Sequence, residues 1–325
     1  MNKNSKHVTY QDIANELGIS KMAVSKAFSN SPDISNALKE KIKAKANELG
    51  YIKDDRAASL KSGKTNSVAI IFHGLENPYF SNACFKVTKE LKKLGYNSSL
   101  YFTDKFFFDY EDLQDLITIR HCAIISFVEP TKDVANFFKE KQIPFILVGI
   151  KSTLKNIDLI YTDDYDGGKQ VAEFYNKSEF KKSIFINDTY SETGQRRHKG
   201  FVENLKNPAE LSYFLNLSKK FSIYDESIRL IMKEKINFIV CVSDVTALKI
   251  RAALKSNSYK ENYIIIGYDN LNKYSPIVKE INTIDYDLDE IVKFASCLLH
   301  DKLTSKIPID EHIEKVFPVK LIIKI

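Results

Sequence analysis

Long apolar runs and an apolar amino-terminal segment are both lacking in this chain of 325 residues. The longest nearly uninterrupted apolar run, Phe145 to Ile150, is far shorter than the roughly 18 residues that a membrane span needs, which excludes a membrane protein. The first twenty residues hold polar or charged groups throughout and lack the apolar region of a secretory signal. We therefore expect a cytoplasmic protein without a membrane partner.

Cysteine is scarce, and its spacing excludes two classes of protein. Cys84, Cys122, Cys241 and Cys297 are scattered, without a C-x-x-C pair, so we expect buried thiols and neither a disulfide framework nor a zinc site. The six histidines form no H-E-x-x-H pattern, and no serine lies in G-x-S-x-G. We accordingly expect no metal, no cofactor and no catalytic residue, and thus not an enzyme.

Composition and charge describe a globular chain of two parts. The apolar fraction of 44% and the charged fraction of 28% exclude disordered and collagen-like classes. Residues 1–64 hold twelve basic and seven acidic groups, a net charge of +5, whereas the other 261 residues carry only +1. This asymmetry indicates a small module that meets a polyanion, joined to a nearly neutral domain. A basic solvated face without a partner is the alternative.

The amino-terminal pattern predicts two short helices joined by a tight turn. Thr9 can cap the first helix, with Asp12 three residues later in a capping-box arrangement. Gly18 tolerates positive φ at the turn, and Ser20 caps a second helix that runs from Lys21 to about residue 28. A third helix from about residue 36 ends before a glycine at residue 50.

Two short helices with a glycine-containing turn and small apolar core residues are typical of a helix-turn-helix unit, whose second helix enters the DNA major groove. A plain helical bundle is the alternative. Groups at the start of the second helix should face base edges and phosphates, and hydroxyl groups nearby should contact phosphates. The expected DNA-binding residues here are Thr9, Tyr10, Ser20, Lys21, Met22, Ser25, Lys26 and Ser29.

The stretch VTYQDIANELGISKMAVSKAFSNSPDIS, followed by NELGYI and RAASLKSGKTNSVAII, resembles the headpiece of the lactose/galactose repressor (LacI/GalR) family. The resemblance implies a hinge helix that orders on operator DNA, with Ala57 and Leu60 at its motif positions. Leu60 would wedge into a minor-groove base step, and a leucine packed locally in a linker is the alternative. Asp54, Asp55 and Ala58 depart from the family pattern, and two carboxylates there repel phosphates.

Lys26 is a further departure, because the family usually has arginine at this position. Lysine lacks the planar fork that reads a guanine with two parallel hydrogen bonds. The hinge affinity and operator preference of the better-known members therefore cannot be assumed for this chain.

Beyond residue 65, near-continuous apolar strands alternate with amphipathic helices, which predicts parallel sheets covered on both faces. The fold class expected is an all-α helix-turn-helix headpiece plus an α/β core of two lobes, similar to periplasmic binding proteins. The expected strands are residues 68–72, 98–102, 123–127, 145–148, 183–186, 238–242 and 264–267. The expected domains are a headpiece (1–53), a hinge helix and linker (54–64), and an effector-binding and dimerisation core (65–325), with an N-lobe of about 65–160 and 288–314 and a C-lobe of about 161–287 and 315–325.

The resemblance also implies an effector in the cleft between the lobes, at landmarks such as NPYF (77–80), DDYDGG (163–168) and GYDN (267–270). Arg197 and Asp269 match positions that hydrogen-bond sugar hydroxyls, and Phe221 matches a stacking aromatic. The full set of expected effector-binding residues is Asn77, Tyr79, Phe80, Asp164, Arg197, Phe221, Ser243 and Asp269.

Each of these residues has a structural alternative. Arg197 could pair with Asp163 or Asp164, Asp269 could cap a loop, and Phe221 could belong to the core. Ser243 stands where the family usually has asparagine, so the ligand of a better-known member cannot be assumed. The run of phenylalanines at residues 106–108 is compatible with an interface or with packing inside a lobe.

The sequence thus predicts a DNA-binding transcription regulator, a repressor by resemblance, whose affinity for operator DNA is set by a small molecule. We expect a sugar or sugar derivative as effector, and a homodimer on a palindromic operator. A nucleobase or a protein co-regulator in place of the sugar is the alternative. A sugar receptor without DNA function is the alternative from a different class; it would have no use for the helix-turn-helix.

Overall fold

A computed structural model of the chain describes residues 8–29, 31–51, 65–188, 192–207, 212–216, 223–275, 278 and 281–324. It divides into two compact units, residues 1–65 and 66–325. None of the described helices is long and apolar enough to cross a membrane. The four cysteines are free. Cys84 and Cys241 are buried, Cys122 is half-buried and Cys297 is exposed, so the expectation of buried thiols holds for two of the four.

The smaller unit contains the three predicted helices: α1 (Tyr10–Leu17), α2 (Lys21–Phe28) and α3 (Asn36–Glu48). The predicted capping box is present, because the Thr9 hydroxyl accepts from the backbone of Asp12 and the Asp12 carboxylate accepts from the Thr9 N–H at 2.8 Å. Gly18 ends α1 with φ of +63°, and the Ser20 hydroxyl caps α2. The local chain signals therefore determine where α1 and α2 meet.

The three helices enclose a small core. Ile13, Ala14, Val24, Ala27 and Ile42 are almost fully buried there. Three aromatic rings close one side of it; the Tyr10 and Phe28 ring centroids are 5.2 Å apart, and Phe28 and Tyr51 are 5.4 Å apart. The buried residues of α1 and α2 are those that the helix-turn-helix pattern requires, which confirms the predicted headpiece fold.

The larger unit alternates strands and helices. Its strands are β1 (Ser67–Phe72), β2 (Asn97–Phe102), β3 (Phe107–Phe108), β4 (Ala123–Ser126), β5 (Glu129–Pro130), β6 (Phe145–Val148), β7 (Asp158–Thr162), β8 (Ser183–Asn187), β9 (Ser212–Asn216), β10 (Phe238–Cys241), β11 (Ile264–Tyr268), β12 (Asn282–Asp285), β13 (Glu314–Phe317) and β14 (Lys320–Ile322). Its helices are α4 (Pro78–Lys93), α5 (Tyr110–Ile119), α6 (Lys132–Glu140), α7 (Asp164–Lys177), α8 (Glu192–Glu203), α9 (Ile223–Glu234), α10 (Asp244–Ser256) and α11 (Leu288–Leu303).

Two six-stranded sheets organise this unit, in the orders β13-β7-β6-β4-β1-β2 and β14-β12-β11-β10-β8-β9. The pairings within both sheets are parallel except that of β12 with β14. We name the first sheet with its helices the N-lobe and the second the C-lobe. The all-α headpiece and the two-lobed α/β core with parallel sheets confirm the predicted fold class.

The chain passes between the lobes three times. It leaves the first sheet after β7, returns near Tyr286 to the helix α11 that packs on the N-lobe, and crosses again between β13 and β14. Because β13 pairs with β7, residues 315–317 lie in the first sheet and thus in the N-lobe, whereas the expected boundary assigns them to the C-lobe. Strand β7 likewise extends the N-lobe to Thr162.

Strand β1 shows why the N-lobe needs helices on both of its faces. Val68, Ile70 and Phe72 point to a core shared with α4 and α11, while Ala69 and Ile71 point to a core shared with α5 and α6. All five side chains are fully buried. A strand buried on both faces reads as a continuous apolar run, which is the pattern that predicted it.

Helices α7 and α8 in the C-lobe touch backbone to backbone. A Cβ added at Gly168 would lie 2.0 Å from the carbonyl oxygen of Arg197, and a Cβ at Gly200 would lie 2.0 Å from that of Tyr165. Real Cβ contacts are never this short, so only glycine permits this approach. The two glycines therefore place the side chains of α8 close to the start of α7.

Candidate functional site

A cavity of about 640 Å³ lies between the two lobes, at the carboxyl ends of strands from both sheets. This is where α/β folds bind ligands, because side chains following several parallel strands converge there. Lining residues that follow directly or closely on a strand are His73, Phe127, Gly149, Asp188, Val242, Ser243 and Asp269. The topology of the sheets thus creates the site.

The N-lobe wall of the cavity is largely aromatic. Tyr79 and Phe80 belong to the first turn of α4, and their ring centroids are 5.1 Å apart. Phe80 meets Phe127 edge-on at 6.4 Å. Asn77 also lines the cavity and caps α4, with its side-chain oxygen accepting from the Tyr79 N–H at 2.9 Å. Such a wall offers flat, rigid apolar faces to a ligand.

Arg197 on α8 is the principal cation of the C-lobe wall. Its side chain is 8% exposed, and its Nε donates to Asp164 Oδ1 at 2.8 Å. One terminal nitrogen donates to the carbonyl oxygen of Val242 at 2.6 Å, and the guanidinium lies 4.2 Å from the ring centroid of Tyr268. These three contacts hold the guanidinium flat and leave part of it on the cavity surface.

Burial opposes the charged form of both partners of this ion pair. Desolvation raises the pKa of Asp164, and the adjacent Arg197 counteracts that rise. For Arg197 the carboxylates of Asp164 and Asp269 outweigh desolvation, so the pKa is raised and the guanidinium stays charged. Asp164 therefore supports Arg197 from the side away from the cavity. The ion pair between Arg197 and Asp164, which the sequence left open as an alternative, is present in the structure.

Asp269 faces the same cavity from the end of β11. Its Oδ1 accepts from the Tyr286 hydroxyl at 2.7 Å, and burial raises its pKa to about 6 despite the opposing charge of Arg197. The residue has a φ of +103°, a region that side-chain-bearing residues rarely adopt. Such strain costs on the order of 1–3 kcal/mol and is found where a side chain must be aimed. The strained backbone here presents the carboxylate to the cavity.

Ser243 lines the cavity but uses its hydroxyl locally. The oxygen accepts from the Thr246 N–H at 3.2 Å and lies 2.9 Å from the Thr246 hydroxyl, so it caps α10. The next residue, Asp244, is fully buried; burial raises its pKa well above the usual range, and one of its oxygens accepts from the Leu271 N–H.

The structure brings together six of the eight predicted effector-binding residues on the cavity wall. They are Asn77, Tyr79, Phe80, Arg197, Ser243 and Asp269. Asp164 lies behind Arg197, and Phe221 lies outside the described residues. Of the phenylalanine run, Phe108 is buried in the N-lobe, whereas Phe106 and Phe107 are half-exposed and line the cavity.

Sequence reasoning missed Glu129, Asp188, Glu192 and Tyr286, all of which line the cavity. The sequence held a signal for Asp188, because this residue lies two positions after the predicted strand at 183–186 and directly after the observed strand β8. Tyr286 had no such signal, since it follows a strand that the apolar pattern did not reveal.

In the headpiece, α2 presents a polar outer face. Lys21, Met22 and Ser25 are exposed, Met22 to 68%. Lys26 pairs with Asp33 at 2.8 Å and remains partly exposed.

The other predicted DNA-binding residues differ in their surroundings. The hydroxyls of Thr9 and Ser20 cap α1 and α2, Ser29 is exposed at the end of α2, and Tyr10 is half-buried in the aromatic cluster. Ala57 and Leu60, like Asp54, Asp55 and Ala58, lie outside the described residues.

A helix-turn-helix unit joined to a two-lobed core with a cleft is the plan of a ligand-responsive DNA-binding regulator. Comparison with known proteins agrees. Residues 9–54 match the family model of bacterial regulatory proteins, lacI family. The chain is 26% identical to the ribose operon repressor of Lactococcus lactis over 314 residues, covering 94% of this chain and 93% of that one.

Solved structures show the same fold. A lac repressor dimer bound to operator and an anti-inducer aligns with a TM-score of 0.79 at 18% identity, covering 98% of each chain. A LacI family regulator from Enterococcus faecium with bound ribose aligns at 0.68 and 21% identity, covering 79% of this chain and 97% of that one. Residues 9–54 are thus a lacI-family DNA-binding domain, and over 94% of its length the chain is similar to a bacterial operon repressor.

The buried ion pair yields a stability prediction. Replacing Asp164 by Asn leaves Arg197 charged and buried without its carboxylate, which should lower the free energy of unfolding by about 3 kcal/mol. The double variant Asp164→Asn, Arg197→Met should be less destabilised, because no uncompensated charge remains. Urea denaturation of the two variants measures this difference.

The matched control for this measurement is Glu173→Gln on the same helix. It removes the exposed pair between Lys169 and Glu173, which are 4.0 Å apart, and should change stability by less than about 0.5 kcal/mol. Equal effects of Asp164→Asn and Glu173→Gln would show that the buried pair has no special role.

Proposed function

We propose that this repressor binds a sugar or sugar derivative in the cavity between its lobes and that the bound ligand sets its affinity for operator DNA. The observation that carries the proposal is the division of the cavity into two unlike walls. The N-lobe contributes aromatic faces at Tyr79, Phe80 and Phe127, and the C-lobe contributes Arg197 and Asp269. A sugar ring is likewise divided into C–H faces and a hydroxyl-bearing edge.

Hydrogen bonding at the C-lobe wall fits adjacent hydroxyl groups. The unbonded N–H groups of Arg197 donate to a hydroxyl oxygen, and the free oxygen of Asp269 accepts from a hydroxyl hydrogen. Bonds of this kind to charged groups are roughly twice as strong as neutral ones. The ribose operon repressor and the ribose-bound regulator among the similar proteins support a sugar for this chain as well.

Regulation would operate by linkage between the cleft and the DNA-binding module. A ligand that contacts both lobes favours the lobe arrangement in which both walls reach it. If the DNA-bound repressor prefers one arrangement, the ligand and the operator affect each other's affinity. The proposal leaves the direction of the effect, release or recruitment of DNA, to measurement. Because its partner is the cell's DNA, we propose that the protein works in the cytoplasm.

We further propose that the working unit is a homodimer on a palindromic operator. An exposed apolar patch on the N-lobe supports this: Leu100 and Phe102 on the edge strand β2, and Phe85 on α4, are 42%, 53% and 66% exposed. Among the described residues strand β2 pairs on one side only, with β1, and α4 packs against it. Exposed apolar groups beside a sheet edge are typical of a surface that another chain covers.

On DNA, we propose that α2 is the recognition helix. Lys21, Met22 and Ser25 extend from its outer face toward base edges, while Thr9, Tyr10, Ser20 and Ser29 lie at positions suited to phosphate contacts. Lys26 has to exchange Asp33 for DNA, since the two side chains form an ion pair in the free protein. The hinge residues Ala57 and Leu60 complete the proposed contacts.

The recognition helix is tested with the operator duplex that the wild-type protein selects from a random library. Lys21→Ala and Lys26→Ala should each cost about 1 kcal/mol, roughly fivefold in affinity, and reduce the slope of log affinity against log salt by about 1. Lys43→Ala on α3, which removes an exposed lysine paired with Glu40, should change neither quantity. Binding assays should also give two chains per palindrome.

Unchanged affinity and salt slope in both recognition-helix variants would contradict the role of α2. One chain per selected duplex would contradict the dimer.

The effector class is tested by a thermal-shift screen of sugars, sugar phosphates and nucleobases on the full chain. We expect sugars or sugar derivatives to raise the melting temperature, because ligand binding to the folded state stabilises it by mass action. The control is Asp269→Asn, which should lower the response to sugars by removing the accepting carboxylate. Stabilisation by nucleobases alone would refute the sugar proposal.

A further inference from the structure

The charge of the cavity wall is strongly unbalanced. Four carboxylates line it, at Glu129, Asp188, Glu192 and Asp269. Among the described lining residues Arg197 is the one Lys or Arg side chain, and it is already bonded to Asp164. Burial lowers the pKa of His73, so this ring is uncharged at neutral pH. The described wall therefore carries a net negative charge.

Cations close to the rim have other partners. Lys105, next to Phe106, pairs with Asp109 and Glu111 at 2.8 and 2.9 Å. Lys249 donates to the Tyr224 hydroxyl at 3.2 Å, and Lys151 lies 5.7 Å from the ring centroid of Tyr161. None of these lysines lines the cavity, and Lys249 reaches the Asp188 carboxylate only through the Tyr224 hydroxyl.

Asp188 is held in position by two hydroxyl groups. The hydroxyls of Tyr224 and Thr246 both donate to its Oδ2, the latter at 2.9 Å. The carboxylate directly follows β8, and the Thr246 hydroxyl is itself 2.9 Å from the Ser243 hydroxyl. Both donors are neutral hydroxyls, so these bonds orient Asp188 without an ion pair to a lysine or arginine. Both bonds go to the same oxygen, Oδ2, which leaves Oδ1 for a ligand.

Asp269 is a buried carboxylate of the same wall, whereas Asp188 is half-buried. Asp269 is only 6% exposed, and in the described part of the chain one hydroxyl, that of Tyr286, donates to it. Desolvation raises its pKa to about 6, a rise that Arg197 opposes only in part. A positive group placed beside it would relieve this penalty, and a negative group would increase it.

We propose that the effector is a cationic polyol, of the amino-sugar class, whose ammonium group binds at the Asp188 carboxylate while its ring packs on the aromatic N-lobe wall. The inference rests on the proposed sugar function and narrows it. An ammonium donates three hydrogen bonds and neutralises charge that a hydroxyl cannot neutralise. Sugar phosphates and sugar acids would place an anion among four carboxylates, which selects against them.

The experiment compares amines with their neutral parents on the full chain at pH 7, by isothermal calorimetry after a thermal-shift survey. The pairs are glucosamine with glucose, galactosamine with galactose, mannosamine with mannose, and the β-1,4-linked dimer of glucosamine with cellobiose. The 6-phosphates of the three hexoses serve as anionic probes. We expect at least one amine to bind at least tenfold more tightly than its parent, and the phosphates to bind most weakly.

Two variants identify the source of the preference. Asp188→Asn keeps the acceptor for Tyr224 and Thr246 but removes the charge; it should reduce the ratio of amine affinity to parent affinity about tenfold. The matched control is Asp133→Asn, at an exposed position in the first turn of α6 outside the cavity. It should change neither affinity.

The outcomes separate this inference from the sugar function. Binding of neutral parents or 6-phosphates as tightly as the amines overturns the inference and leaves the sugar function standing. An amine preference that survives Asp188→Asn also overturns it. Binding of no sugar of any charge overturns the sugar function, and the inference with it.

Discussion

The buried ion pair between Asp164 and Arg197 is the contact on which the cleft depends. Two glycines let α7 and α8 approach until their backbones touch, so the side chain at the start of α7 reaches the one on α8. Arg197 is fixed by Asp164, by the Val242 carbonyl at the end of β10 and by the Tyr268 ring on β11. One guanidinium thus joins two helices and two strands, and it presents the remainder of its donors to the cavity.

Two hydrogen bonds at the cleft connect the two lobes directly. Tyr286 packs in the N-lobe core, yet its hydroxyl donates to Asp269 in the C-lobe, and the Thr193 hydroxyl of α8 donates to the carbonyl oxygen of Gly149 beyond β6. A ligand that bonds to Asp269 therefore acts on a group that already joins the lobes. This gives the proposed linkage a physical basis, because the ligand and the contact between the lobes use the two oxygens of the same carboxylate.

Local chain signals predicted much of the fold. The caps at Thr9 and Ser20 and the turn at Gly18 each involve contacts with residues no more than four positions away. The local sequence pattern was therefore sufficient to predict these helix ends. Strands buried on both faces were also apparent. Strands such as β12 and β13 were not predicted, since threonine, aspartate, glutamate and lysine interrupt their apolar pattern and pairing across the sheet determines them. The positive charge of residues 1–64 does not by itself locate the DNA-binding surface. Residues 8–51, which hold the three helices, contain six lysines and five carboxylates, so most of the net charge of +5 lies outside them.

The site was predictable where residues follow apolar strands, and not where distant segments meet. The sequence could not decide whether Arg197 lines the ligand cavity or pairs with a carboxylate, because the answer depends on how closely α7 and α8 approach. In the structure Arg197 lines the cavity and also pairs with Asp164. The hydrogen bonds that orient Asp188 could not be predicted either, because Tyr224 lies 36 positions and Thr246 58 positions from it in the sequence.

Linkage between the cleft and DNA is the central claim, and reciprocal binding measurements test it most directly. The operator affinity of the full chain is measured with and without a saturating amount of the best-binding sugar, and the affinity for that sugar is measured with and without saturating operator. The account predicts that both affinities change by the same factor, between about 5 and 150. Operator affinity that is unchanged by a sugar bound in the cleft would contradict it.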